Sequence, residues 1–354
     1  MKKIFIIIAI LVILLATPFV WYKISTSPVS KSEEKIQITI DMGSGTNKIA
    51  KILKENKIIK SEMAFKIYTK LNKVSSFQAG NYELTPSMEI DEIIQTLQTG
   101  KLHSKDGITI TFIEGKTMRW IAKEIAKNTN NTEEDVFDLL KDEEYIDSLV
   151  EKYWFVTNDI KSKDIYYPLE GYIFPDTYTF KNKDVSVEDI FKTMLDKMEK
   201  VLNSYKNDIE KSEHNAHEIL TMASIVEKEA MHDEDRKDVA SVLYNRLEEK
   251  MSLGSDVTTY YAIKVEVGER DLYQKELNLN NPYNTRGPNM IGKLSVGPIC
   301  TVSEKSIEAS LKPSNTQYLF FVADKNGKIY FTRTNSEHTS KVNELKNSGL
   351  WYEF

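Results

Sequence analysis

Two carboxylates, Glu227 and Glu229, lie in the stretch Thr221-Met222-Ala223-Ser224-Ile225-Val226-Glu227-Lys228-Glu229-Ala230, which continues Glu218-Ile219-Leu220. The run lacks Gly and Pro, which predicts a helix of about three turns. Its apolar residues cover nearly the whole circumference, the pattern of a helix packed inside a domain. Acids on such a helix are costly unless they are paired, neutralised or used in chemistry. At i and i+2 they point in different directions and cannot share one proton.

The Glu227 face reads Leu220, Ala223, Ser224, Ala230 and Met231. Small residues beside an acid leave room for a ligand, and an apolar surround raises the acid's pKa toward the range of a general acid. The Glu229 face is bulkier (Met222, Ile225, Val226) and carries a second acid, Asp233. The structural alternative is that either glutamate pairs with a nearby cation such as Arg236 or Lys237, and periodicity does not separate the two readings. Catalysis by Glu227 requires that it open on a groove. An ion pair in a dry interior would remove it.

Length and composition set the frame. A chain of 354 residues is long enough for two or three domains. A net charge of −6 with no basic run argues against a nucleic-acid partner. One cysteine, Cys300, excludes an internal disulfide and a cysteine-rich zinc site, and reads as a small buried apolar residue. In His214-Asn215-Ala216-His217-Glu218 the acid follows both histidines, which is not zinc-protease spacing, so both histidines read as solvated. No metal and no cofactor is expected.

Lys2 and Lys3 precede Ile4 to Tyr22, nineteen residues without a charge, close to the roughly 20 that span a bilayer. This predicts a cytoplasmic stub and transmembrane anchor over 1–23, a tether over 24–35, and an exported remainder. A strand Ile36–Ile40, helices Asn47–Glu55 and Ser61–Leu71, a return strand Gly80–Leu84 and a helix Ser87–Thr99 follow. This βααβ order over 36–104 resembles LysM-type glycan-binding modules. A linking α+β subdomain is expected over 105–165, with a strand at Ile108–Phe112 and helix through Glu133–Lys152.

The last region, 166–354, is expected to be a mixed α+β catalytic domain. Tyr166 to Tyr178 holds two prolines, a glycine and five aromatics in thirteen residues. It reads either as a sugar-stacking groove or as a packed aromatic loop locking a junction. Helices are expected at Val187–Lys211 and Asp235–Lys250, a capped turn at Leu253–Ala262, and a polar loop at Asn281–Pro288. A strand Tyr318–Ala323 should turn at Asp324–Gly327 and pair with Lys328–Thr332. The fold class is α+β throughout.

Several short blocks stand in one order behind the apolar N-terminus. They are Glu170-Gly171 with Pro175-Asp176-Thr177-Tyr178, Ala223-Ser224-Ile225-Val226-Glu227-Lys228-Glu229, Asn245-Arg246-Leu247, Gly254-Ser255-Asp256-Val257-Thr258, Tyr283-Asn284-Thr285, Gly297-Pro298-Ile299, and Phe321-Val322-Ala323-Asp324 with Phe331-Thr332. Together the chain resembles the MltG (YceG-like) family of endolytic murein transglycosylases. It departs from the family where Ser295-Val296 precedes Gly297, in place of the usual Gly-Leu-Pro-Pro.

The resemblance implies cleavage of the bond between N-acetylmuramic acid and N-acetylglucosamine within nascent peptidoglycan strands, giving 1,6-anhydro ends. It assigns the acid to Glu227, and it implies a place near the peptidoglycan synthases, where the enzyme sets glycan length. Asp256, Thr258, Asn284 and Thr285 are the expected hydrogen-bonding contacts to the glycan, with Tyr261, Tyr283 and Glu170 lining the groove. Each has a structural alternative in turn capping or core packing. Two rival functions are a wall-binding scaffold without turnover, and a muramidase in which Glu229 or Asp256 activates water.

Overall fold

The computed structural model describes residues 17–351, apart from 19, 42, 75–76, 100–106 and 181. Most of the expected anchor lies outside the described residues, and among those described no helix is long and apolar enough to cross a membrane. The chain divides into two compact units, Met1–Thr109 with Thr179–Lys183, and Ile110–Tyr178 with Asp184–Phe354.

In the first unit, β1 (Ile36–Ile40), α1 (Thr46–Glu55), α2 (Glu62–Leu71), β2 (Gly80–Leu84) and α3 (Ile90–Thr99) follow in order. The two strands pair antiparallel, Ile36 opposite Leu84 and Ile40 opposite Gly80. Strand alternation puts Ile38 and Ile40 on the side that meets Ile49, Leu53, Phe65 and Ile94, and these form one core. The third helix starts later than expected because Thr85 to Met88 make a turn, with the Met88 N–H donating to the Thr85 carbonyl.

β3 (Ile108–Thr111) pairs with β4 (Thr177–Phe180), and the division between units falls within both strands. Between them come α4 (Met118–Asn128), α5 (Glu133–Leu139) and α6 (Glu143–Lys152). The single helix expected over Glu133–Lys152 is two, because the Asp142 side chain caps a new start by accepting from Tyr145 N–H. After β4 come α7 (Val187–Asn203), α8 (Lys206–Lys211), α9 (Ala216–Glu229), α10 (Arg236–Glu248), α11 (Asp256–Ala262), α12 (Gln274–Leu277) and α13 (Glu304–Leu311). The hairpin β5 (Phe320–Ala323) and β6 (Ile329–Thr332) and a last helix, α14 (Asn335–Asn347), close the chain.

The middle of the loop from Tyr166 to Tyr178 is packed inside, while Tyr166 and Tyr167 at its start are half-buried. Leu169, Glu170, Tyr172 and Ile173 are all within 1 % of full burial, so they offer no face to a sugar. Gly171 takes φ +77° and stands against Pro298, where any Cβ would collide. His217 is buried as well, contrary to the solvated reading. Its Nε2–H donates to the Val296 carbonyl at 2.9 Å, so its Nδ1 accepts from the Tyr172 hydroxyl at 2.7 Å.

Candidate active site

Helix α9 begins on a capping box. The Asn215 side chain accepts from Glu218 N–H, and the Glu218 carboxylate accepts from Asn215 N–H. From Ile219 to Val226 every residue is buried, as all-round apolarity requires. Met222, Ile225 and Val226 pack with Val239, Leu243, Leu253 and Ile299 in the core of the second unit. The helix therefore carries its two acids to fixed positions in the protein.

The two acids meet different surroundings. Glu227 Oε2 accepts from Ser303 N–H at 2.9 Å, from Ser303 Oγ at 2.6 Å and from Ser306 Oγ at 2.8 Å. The Arg236 guanidinium lies 2.9 Å from the same oxygen, with the two side chains only 9 % and 6 % exposed. Arg236 is fixed in turn by Asp233 at 3.0 Å. The expected apolar surround is absent, and the group is a pin joining α9, α10 and the start of α13. The room left by Ala223 and Ser224 is filled by the chain itself, since Ile299 N–H donates to Ser224 Oγ at 3.0 Å. Oε2 of Glu227 is thus fully engaged by the protein, unlike the acid in an apolar surround that the sequence leads one to expect.

Glu229 closes the helix and faces a cavity of about 450 Å³ shared with Arg246, Ser255, Asp256, Arg286, Phe320 and His338. Its Oε1 accepts from Ser255 Oγ at 2.5 Å. Burial raises its pKa from the ordinary carboxylate value; Ser255, Arg286 and Arg246 oppose this, and the nearby Asp256 charge adds to it. Its place among the last carbonyls of α9 also disfavours the anion. Asp256 is exposed and paired with Arg286. Lys228, between the acids, reaches away to the Gly115 carbonyl at 3.3 Å.

Of the expected glycan contacts, the structure brings only Asp256 to this cavity. Thr258 and Thr285 are fully buried and bond each other at 2.8 Å, while Thr285 Oγ1 accepts from Ser255 N–H at 3.1 Å. Asn284, also fully buried, donates to the carbonyls of Glu276, Leu277 and Leu279 and accepts from Thr259 Oγ1 at 2.6 Å. These three side chains shape the loop that presents Ser255 and Asp256, and none is free for a ligand. Gly254 completes the turn at φ +61°, its N–H donating to the Thr285 carbonyl.

Tyr261, Tyr283 and Glu170 line no groove either. The two tyrosine rings pack 4.8 Å apart, centroid to centroid. Glu170 is 1 % exposed and accepts from Met118 N–H at 2.9 Å and from the Tyr261 hydroxyl at 2.9 Å. Burial pushes its carboxyl up to about 7 against those donors. Glu170 is thus an enclosed acid at the first turn of α4.

Reasoning from the sequence missed Ser255, Arg246, Arg286, Phe320 and His338 as cavity residues. Arg246 and Ser255 stood inside blocks already singled out, which was the available signal. Arg286 stood in the polar loop Asn281–Pro288, and nothing local pointed to Phe320 or His338.

The YceG-like family model matches residues 38–344. A Bacillus subtilis protein named endolytic murein transglycosylase is 42 % identical over 322 residues, covering 90 % of this chain and 88 % of that one. A Streptococcus pneumoniae protein of the same name is 31 % identical over 342 residues, covering 92 % of this chain but 61 % of the longer relative. The crystal structure of a YceG-like protein from Listeria monocytogenes is similar at a TM-score of 0.62 and 38 % identity, covering 88 % of this chain and all of that one.

Proposed function

The chain belongs to the YceG-like family, and from that premise we propose that it is an endolytic murein transglycosylase whose acid is Glu229. Relatives bearing that name support the reaction class. One observation carries the residue assignment: Glu229 faces an open cavity with a raised pKa, whereas Glu227 is enclosed and ion-paired.

A protonated Glu229 donates to the glycosidic oxygen between N-acetylmuramic acid and N-acetylglucosamine as that C–O bond breaks. The resulting carboxylate then takes the proton of the muramic 6-hydroxyl as its oxygen bonds to C1, closing the 1,6-anhydro ring. One group serves both steps and no water enters. The nucleophile sits on the reacting ring, so its effective molarity is high. Ser255 orients the carboxyl through Oε1.

Asp256 on the same cavity wall favours a second reading, hydrolysis by two carboxylates. Its engagement by Arg286 argues for the first. Mass analysis of products from uncrosslinked glycan separates them, since anhydro ends are one water, about 18 Da, lighter than hydrolysed ends. Glu229→Gln should abolish either product in a folded protein; full activity in that variant would sink the assignment.

The charge-free run from Ile4 to Tyr22 supports a single-pass anchor with the N-terminus in the cytoplasm and the remainder outside, facing nascent strands and their synthases. The βααβ module over 36–104 is proposed to orient the strand.

A further inference from the structure

Arg246 differs from four of the five other arginines of its unit. Arg119, Arg236, Arg270 and Arg286 each hold a carboxylate. Arg246 makes no ion pair among the described residues. Its Nε donates to the Leu319 carbonyl and its Nη1 to the Leu253 carbonyl, both at 2.6 Å. The guanidinium lies 5.2 Å from the Phe320 ring centroid, and His338 stacks on the same ring at 5.6 Å. The group is thus fixed from two sides in the cavity wall, with N–H donors to spare out of its five.

Charge in the cavity is unbalanced in the state that starts the reaction. Once Glu229 carries its proton, the guanidinium groups of Arg246 and Arg286 face one carboxylate, Asp256. Burial and the Arg246 charge lower the His338 pKa, which disfavours a further positive charge there. A rigid, largely desolvated guanidinium whose neighbouring acid, Glu229, is protonated is suited to an incoming carboxylate.

We propose that Arg246 binds a carboxylate carried by the glycan, so that the cavity beside Glu229 prefers acid-bearing muramyl residues to neutral ones. This rests on the transglycosylase reading of that cavity. Two sources share the chemistry, namely the 3-O-lactyl carboxyl of a peptide-free muramic residue and the free carboxyls of an attached peptide.

The test uses the full chain in detergent micelles and four uncrosslinked substrates: peptide-free strands, peptide-bearing strands, and each of these with its carboxyls converted to methylamides. Amidation should raise KM about tenfold or more, the worth of one charge-assisted hydrogen bond. A rise confined to the peptide-free pair identifies the lactyl group, and a rise confined to the peptide-bearing pair identifies the peptide. Arg246→Gln should bring acid and amidated strands to one KM, and Arg246→Lys should keep part of the preference. Loss of Arg246 as a mere fold support would lower activity on all four alike. Equal kcat/KM on acid and amidated strands in both pairs for the unaltered protein overturns the proposal, even if the variants do not fold. Should no substrate yield anhydro ends, the affinity of Glu229→Gln for the same four strands still reads the preference, so the two failures are distinct.

Discussion

Glu227 and Glu229 stand two residues apart on one helix, yet one is surrounded by donors inside the protein and the other faces open space. Around Glu227, α10 supplies Arg236 and the start of α13 supplies Ser303 and Ser306, and all of them contact a single oxygen. Around Glu229, one serine touches one oxygen, and the remaining neighbours are cavity walls. A carboxylate saturated with donors fixes neighbouring elements; a buried one left partly unsatisfied keeps its proton and can give it away. The difference lies in what approaches each side chain, since helix, sequence neighbourhood and residue type are the same.

Several substitutions would break or sharpen that contrast. The largest effect is expected from Glu229→Gln, a loss of about 10²–10⁴-fold in release of anhydro ends, read by mass spectrometry beside an unchanged circular dichroism spectrum. Glu227→Ala should do the reverse. It leaves Arg236 with only the exposed Asp233 for a carboxylate partner, which costs at most about 3–5 kcal/mol, seen as a lower denaturant midpoint for the second unit, while activity per folded molecule stays within a few-fold. If Glu227→Ala instead abolished turnover in a protein of normal stability, the two roles would have to be exchanged.

Glu170 supplies a third case, an acid that is enclosed yet without a cation bonded to it. Its folded-state pKa of about 7 lies above the unfolded value of 4.5. Its contribution is therefore fully present below pH 4.5 and lost as pH rises through about 7, a swing of roughly 3 kcal/mol at most. Glu170→Gln should flatten the dependence of Tm on pH in that window; an unchanged slope would mean that the acid is not the titrating group.

The smallest effect concerns the pH profile. Glu229 must begin protonated, so the rate should fall as pH rises through its raised pKa. Asp256 contributes to that raising, and Asp256→Asn should move the falling limb to lower pH by a fraction of a unit to about one unit. A limb that stays in place would show that burial alone sets the proton affinity.

Elements with a strong local signal were legible in the sequence. The strands Ile36–Ile40 and Gly80–Leu84 have the expected bounds, and the all-round apolar helix does lie in the interior. Breaks set by single caps, at Asp142 and near Ser204, were hidden in longer helical patterns. The aromatic run at Tyr166 to Tyr178 was read two ways; Tyr172, Phe174 and Tyr178 are buried, and Tyr166 and Tyr167 are half-buried.

By itself the sequence determined the two-residue spacing of the acids, the helix that carries them and the order of blocks around it. Each of these follows from local geometry, in which 3.6 residues per turn fixes where a side chain leaves the axis. Only the tertiary structure decided which acid would be free. Small residues beside Glu227 admitted the chain at Ile299 to Ser306, which closed that face. Periodicity gives the direction of a side chain; what fills the space in front of it comes from residues far along the chain.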